Sequence, residues 1–291
     1  MKGLLSFHGL FLFLALSGFI GPSPAFADDS QFLVFNIIGG VGLILGLFLF
    51  LKGFADLRKK RLMEDTPTSL IRSMAPGEVV VIGKAHDWLP LTGPFSQKAC
   101  VYFEYTVEEQ RTRRVGTGKD EHTETYWAVI QQGDTSETPF YVDDGTGLAL
   151  VKPAKAEKVL VGEYELTPGF FSDVPPHIDQ FLKTRGVDCH GLFGFSRPLR
   201  FSERAFLVGQ DLYILGVCQA SPTPGNAPDG AAKDICLSQG QHGEVFMVSA
   251  KSQKSLESSL GWAAFFLIFF GIVLIGGAVY FLVITNQVGR Y

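Results

Sequence analysis

At 46% hydrophobic and 13% aromatic, the 291-residue chain is too apolar for an ordinary soluble protein, and at 19% charged it is too polar for a polytopic transporter. Its net charge of −4 gives no reason to expect nucleic-acid binding. The imbalance lies in the distribution: apolar runs occupy both ends, and about two hundred residues of ordinary composition between them suffice for one domain with its own core.

Residues 1–27 read as a secretory signal peptide. Lys2 supplies the positive start, residues 10–20 the apolar stretch, and Ala25-Phe26-Ala27 a small-residue cleavage site before Asp28. An uncleaved signal anchor is the competing reading. Residues 32–51 carry no charge and have about the 20 residues a transmembrane helix needs. Asp28 and Asp29 precede this run, and Lys52, Arg58, Lys59, Lys60 and Arg61 succeed it in a basic stalk over 52–68. The positive-inside rule then places the residues after Lys52 in the cytoplasm. Residues 261–284 form a second uncharged span, with Lys251 and Lys254 before it and only Arg290 in the tail 285–291, which gives the same placement. Gly42 and Gly46 make a G-x-x-x-G in the first span, and Gly271, Gly276 and Gly277 put small residues in the second. Such positions suit pairing of the spans or a homodimer, although glycine is also common in membrane helices.

Between the spans, residues 69–258 read as one β-rich domain. Thr66-Pro67-Thr68 ends the first helix, and Thr68-Ser69-Leu70-Ile71 reads as a short helix start. Residues 78–83 (EVVVIG) read as a strand closed by glycine, 99–108 as an alternating strand and 125–131 as a third, with 110–124 a charged loop. Residues 139–153 (PFYVDDGTGLALVKP) give a strand, a tight acidic-glycine turn and a second strand. A strand comes next over 155–161, then a short helix over 175–185 and a hairpin around Gly209-Gln210-Asp211 within 201–219. Residues 220–233 have mobile-loop composition, 244–249 form the last strand, and 250–258 a helix feeding the second span. The fold class is therefore α+β, with a β-rich soluble domain between two transmembrane helices; the 140–151 hairpin leaves a partly closed barrel open.

No stretch assembles a reaction. Around the loop VGTGKD (115–120), Arg113 and Asp120 stand where a phosphate-binding loop needs Gly and Ser or Thr. Arg111, Arg113, Arg114 and Lys119 suit lipid headgroups or an acidic partner, against which Asp120, Glu121 and Glu124 count. Asp143 and Asp144 lack the spaced oxygens of a calcium loop. Cys100, Cys189, Cys218 and Cys236 are irregularly spaced without C-x-x-C, and Cys189-His190 is the one adjacent zinc-type pair. Neither H-E-x-x-H nor G-x-S-x-G occurs. No catalytic, cofactor-binding or metal residue is assigned, and no cofactor is expected.

Several motifs in order carry a resemblance: VVVIGKAHD (79–87), WLPLTGPFSQKACVYFEYTVEE (88–109), TYW, PF-V-DDGTG-A-V, RFSERAFLVGQDLYILGVCQ (200–219), and FMVSAKSQKSLESSL before a membrane helix. Over about 69–284 the chain resembles the GIDE, or beside-a-membrane (BAM), domain of mitochondrial and chloroplast membrane ubiquitin ligases, which has bacterial and archaeal relatives. In the eukaryotic ligases a RING finger with eight Cys/His ligands on two zincs recruits the conjugating enzyme; no RING is seen here. The resemblance therefore implies the sensing or substrate-recruiting part without the catalytic module. By motif position Arg200, Glu203, Gly209 and Gly216 match the family's R-x-x-E…G…G run, where glycines make turns and a charge pair fixes the hairpin. In the mitochondrial ligase the domain faces the intermembrane space, whereas the charges here favour the cytoplasm. The expectation is a bacterial or archaeal inner-membrane scaffold, with the bilayer and a membrane-surface protein as partners. A ligase-like protein working with a separate RING partner, or a membrane hydrolase, is the alternative.

Overall fold

The computed structural model describes residues 29–89, 91–116, 121–169, 174–189, 198–222, 224–225 and 227–288. The expected signal peptide, residues 117–120 of the 115–120 loop, His190 and the last three residues lie outside them. The chain divides into two units, residues 1–64 with 256–291, and residues 65–255.

The first unit is a pair of long helices, α1 (Asp29–Asp65) and α3 (Gln253–Val288), each apolar and long enough to cross a bilayer. They run antiparallel and meet along most of their length. Phe35 packs edge-on against Phe281, with ring centroids 5.9 Å apart. Further along, glycine brings the backbones together. A Cβ on Gly271 would stand 3.0 Å from the Gly46 carbonyl oxygen and 2.9 Å from the Phe50 nitrogen. One on Gly53 would stand 3.1 Å from the Ala264 oxygen. Helices without side chains at the crossing gain close dispersion contact that lipid tails cannot supply. The glycines at 46, 53 and 271 thus serve pairing of the chain's own two spans, whereas Gly40, Gly276 and Gly277 face open space.

The second unit holds two sheets. β1 (Gly77–His86), β5 (Phe140–Asp143), β6 (Leu148–Val151), β11 (Ala231–Ser238) and β10 (Asp211–Ala220) pair in that order, and β10 returns to β1, closing a five-strand barrel. Closure removes the open edges a small sheet would otherwise leave. The inner positions obey period two: Val79, Val81 and Ala85 from β1, Phe140 and Val142 from β5, Ala149 and Val151 from β6, and Leu212 and Ile214 from β10 form one buried cluster. The opposite face of the β5–β6 hairpin, Tyr141, Leu148 and Leu150, is buried with Cys236 under Trp88. β12 (Met247–Ser249) pairs antiparallel with β10 and carries β7 (Glu157–Val159) in parallel. Gly83 lies within β1 rather than at its end. A Cβ there would stand 2.8 Å from the Asp143 carbonyl carbon, so glycine admits β5 where the barrel closes.

The second sheet joins β2 (Leu91–Thr92), β3 (Ala99–Val115), β9 (Leu199–Leu207) and β8 (Tyr164–Leu166), with β4 (His122–Asp134) also paired to β3. Helix α2 (Pro176–Lys183) buries Ile178 and Leu182 against Phe103, Tyr105, Val107 and Phe201 of this sheet. A bulge at Val101 turns the start of β3 so that Val101 and Tyr102 join the barrel cluster while Cys100 and Phe103 face α2.

Three expectations are corrected. The charged loop expected over 110–124 is mostly strand, because β3 and β4 remain in register from Glu109↔Ala128 to Val115↔His122. The expected 201–219 hairpin does not pair with itself: β9 belongs to the second sheet and β10 to the barrel. The turn between them is held by β1, with Gly209 N donating to the Ala85 carbonyl at 2.7 Å and Ala85 N to that of Gln210 at 2.8 Å. The expected 220–233 loop gives way at Ala231 to β11, which the sequence did not reveal.

Candidate functional site

The polar face of the second sheet is a ladder of cross-strand pairs. Glu104 lies opposite Arg204 and Glu108 opposite Arg200, with Thr106 and Ser202 between them. The Arg204 guanidinium reaches Glu104 at 2.5 Å, and that of Arg200 reaches Glu108 at 2.7 and 2.5 Å. Arg200 also lies over the Trp127 ring, 4.7 Å from its centroid. Past Glu109, β3 and β4 run on as a two-stranded ribbon. Arg113 makes two hydrogen bonds to Glu124, at 2.9 and 2.8 Å, and stands over Tyr126; Arg114 meets Glu121. The ribbon pairs are exposed, each is worth about 0.2–1 kcal/mol, and their role is registration. The exposed ring of Tyr126 and the side chain of Val129 remain available on the ribbon.

Glu203 sits on the opposite, buried face of β9 and is 3% exposed. It accepts hydrogen bonds from the Phe95 nitrogen at 2.6 Å, the Ser96 nitrogen at 3.1 Å and the Ser96 hydroxyl at 2.5 Å. Gly93 leaves room for it: a Cβ there would stand 2.7 Å from the Ser96 Oγ and 2.9 Å from the Glu203 carboxyl carbon. His177 of α2 meets the Phe95 carbonyl at 3.1 Å, so helix and carboxylate hold the same 93–98 turn from two sides. The expected charge pair of Arg200 with Glu203 is therefore two separate contacts, because successive β9 positions of opposite parity face opposite sides of the sheet. Gly209 adopts φ +77°, the turn conformation glycine favours. Gly216 receives the Phe246 ring, whose edge would lie 2.7 Å from a Cβ.

The acidic turn after β5 clips a neighbouring segment. The Asp144 carboxylate accepts from the Ile71, Thr146 and Gly147 nitrogens at 2.8, 2.8 and 3.2 Å and from the Thr146 hydroxyl at 2.7 Å. Burial alone would raise this carboxyl, but the hydrogen bond from Ile71 and those from Thr146 and Gly147 outweigh it and hold it below the usual range. The short 3-10 turn Ile71–Ser73 replaces the helix start expected at Thr68. Its Ile71 is 2% exposed and joins the barrel core. A cleft of about 350 Å³ lies beside it, lined by Ile71, Arg72, Met74, Gly147, Ala232 and Ile235 among others. All the backbone donors of the turn that face Asp144 are used by it, so no anion nest remains there.

The four cysteines are free and buried. Burial, reinforced by the charge of Glu203, pushes the Cys100 thiol up to about 12; burial, then Asp179, pushes that of Cys189 up to about 11. A nucleophilic cysteine needs the reverse shift. Among the described residues no group of three His, Cys, Asp or Glu side chains is placed to hold a metal ion. The structure thus gathers the motif residues into two registration devices, a cross-strand ladder and a buried carboxylate.

Comparison with known proteins gives one finding. The GIDE family model, described as E3 ubiquitin ligase, matches residues 108–283, more than half of the chain, from within β3 to near the end of α3. No curated protein and no solved structure matches.

Proposed function

The chain belongs to the GIDE family, and on that premise we propose that it is a membrane-anchored docking protein, whose β unit receives a protein partner at the membrane surface without chemistry of its own. The observation that carries this reading is the β3–β4 ribbon. Its tip strands pair with each other and extend past the sheet, and they display Tyr126 and Arg113 on a frame held by cross-strand ion pairs, with half-buried Trp127 at its base under Arg200 of the adjoining β9. Aromatic and arginine side chains on a rigid frame are the groups in which protein interfaces are enriched. The carboxylates at 144 and 203 are consumed inside the fold, and two of the thiols are pushed away from reactivity.

We place the β unit on the cytoplasmic side of a bacterial or archaeal inner membrane, and the flanking charges support that choice of side. A second copy, if it joins through the spans, would use the outward Gly40, Gly276 and Gly277, since Gly46, Gly53 and Gly271 are occupied within the chain.

A ligase-like activity is the second reading, favoured by the family description itself. One experiment separates the two. The full chain in lipid nanodiscs is given ubiquitin with activating and conjugating enzymes, and in parallel is crosslinked in cells and purified. A stoichiometric protein partner that is lost on Tyr126→Ala/Arg113→Ala, with no ubiquitin chains formed, supports docking. Ubiquitin transfer by the chain alone would replace it with the ligase reading.

A further inference from the structure

The helix pair carries an offset that composition does not reveal. Gly42 faces Ala278, Gly46 faces Gly271 and Ile275, Gly53 faces Ala264 and Ile268, and Gly261 packs on the Lys60 side chain. In this register the uncharged run of α1 stops at Leu51, whereas that of α3 continues for about two more turns toward Gly261. The length over which both helices are apolar, 36–51 against 269–284, is about 24 Å at 1.5 Å per residue, short of the ~30 Å hydrocarbon core. Beyond it lies a belt in which the two helices differ. α1 presents Lys52, Arg58 and Arg61, all exposed, and none of them makes an ion pair among the described residues. Alongside, α3 presents Trp262, Phe265, Phe266 and Phe269, between 48% and 62% exposed. Trp262 stacks on Phe266 and Phe265 on Phe269, with centroids 6.0 and 6.2 Å apart. Asp56 is the acidic side chain within this stretch, and Lys60 is paired with Glu64.

We propose that this belt is a binding site for anionic phospholipid, with the phosphodiester on the cations of α1 and the upper acyl chains against the aromatic ladder of α3. Charge complementarity chooses the occupant. Cations without protein counter-ions on one helix and a wall of exposed rings at the same level on the other match a molecule whose anionic headgroup adjoins apolar upper acyl chains. A zwitterionic lipid meets the rings equally well but leaves the cations uncompensated, and cations near a membrane surface draw anionic lipid additively. Aromatic rings at this depth hold the interface against the mismatch.

The test uses the full chain reconstituted in vesicles of phosphatidylcholine and phosphatidylglycerol at three to one, a ratio of order one anionic lipid in four, as suits surface-potential effects. Energy transfer from Trp262 to a dansyl label carried on one lipid or the other reads the local composition, with Trp88 and Trp127 replaced by Phe. Native mass spectrometry of the unmodified protein gives the same ratio should those replacements disturb the β unit. Phosphatidylglycerol is expected to be enriched around the protein by about threefold over its bulk share, the enrichment falling with salt and vanishing in Lys52→Gln/Arg58→Gln/Arg61→Gln. Equal transfer to both lipids in the parent protein, or enrichment that survives the triple variant, overturns the proposal. Displacement of the labelled lipid by inorganic phosphate beyond that caused by sodium chloride of equal ionic strength overturns it also, since the site would then take free phosphate.

Discussion

At the scale of single residues, Glu203 concentrates more consequence than any other side chain described. It is a buried carboxylate with three donors converging on it, two of them backbone nitrogens of the 93–98 turn. Glu203→Ala strands the Phe95 nitrogen inside the fold and removes charge-assisted bonds, which costs about 3 kcal/mol. Glu203→Gln retains acceptor oxygen and is expected to cost less than half as much. Denaturant unfolding of the two variants, monitored by tryptophan fluorescence, checks this; equal losses would show that volume rather than hydrogen bonding matters there. Asp144 makes a pH-dependent contribution. Its carboxyl is held below the usual range in the folded chain, so the stabilisation is fully present above the ordinary Asp value of about 3.9 and is lost as pH falls through the lowered one. Thermal melts of the parent and Asp144→Asn should differ most at neutral pH and converge below about pH 4. A gap that stays constant into acid would remove Asp144 as the clip on Ile71.

At the scale of elements, legibility tracked the local signals. The 139–153 hairpin was readable because turn chemistry and period-two alternation coincide there, and both of its faces prove buried. The ribbon was not readable: with both faces in water, charge and polarity fill every position from Glu109 to Arg114, and the alternation that marks a strand disappears. Its pairing rests on cross-strand partners such as Arg113 and Glu124, which sequence spacing does not connect. β11 was hidden by a register break between Ala231 and Cys236, where Asp234 takes φ +57°. Arg200 was found by motif, but its partner Glu108 lies 92 residues away. The spans were readable as spans, while their mutual register was not, because it depends on which glycines meet backbone. That register makes a prediction. Gly271→Leu forces side-chain atoms into a backbone approach of about 3 Å and should splay the helices at a cost of about 1–3 kcal/mol. Asn36 and Asn286 meet at 3.3 Å, so an Asn36→Cys/Asn286→Cys pair should crosslink readily. Gly271→Leu is expected to lower that yield severalfold, and Gly277→Leu, facing open space, to leave it unchanged.

At the scale of the whole molecule, charge bears directly on the side of the membrane. Five basic residues come within ten positions after the first uncharged run, and Lys251 and Lys254 precede the second. Lys and Arg close to a span resist translocation, and both spans here agree. Reporter fusions within residues 221–230, ahead of β11, and after Tyr291 are expected to show the loop inside and the C-terminal tail outside. The placement has a chemical consequence. Cys218 and Cys236 lie on neighbouring strands, yet Cys218 belongs to the barrel core and Cys236 to the cluster under Trp88. Thiols directed to opposite faces of one sheet cannot meet the geometry of a disulfide without unpairing β10 from β11. Oxidation would therefore break the barrel that β10 closes, and a reducing compartment protects it. An external loop in the fusion experiment would sink the cytoplasmic placement and move the β unit's partner to the cell envelope. It would also expose the fold to an oxidising medium with four buried thiols and no bridge, and slow loss of the barrel under mild oxidant would then be the property to measure.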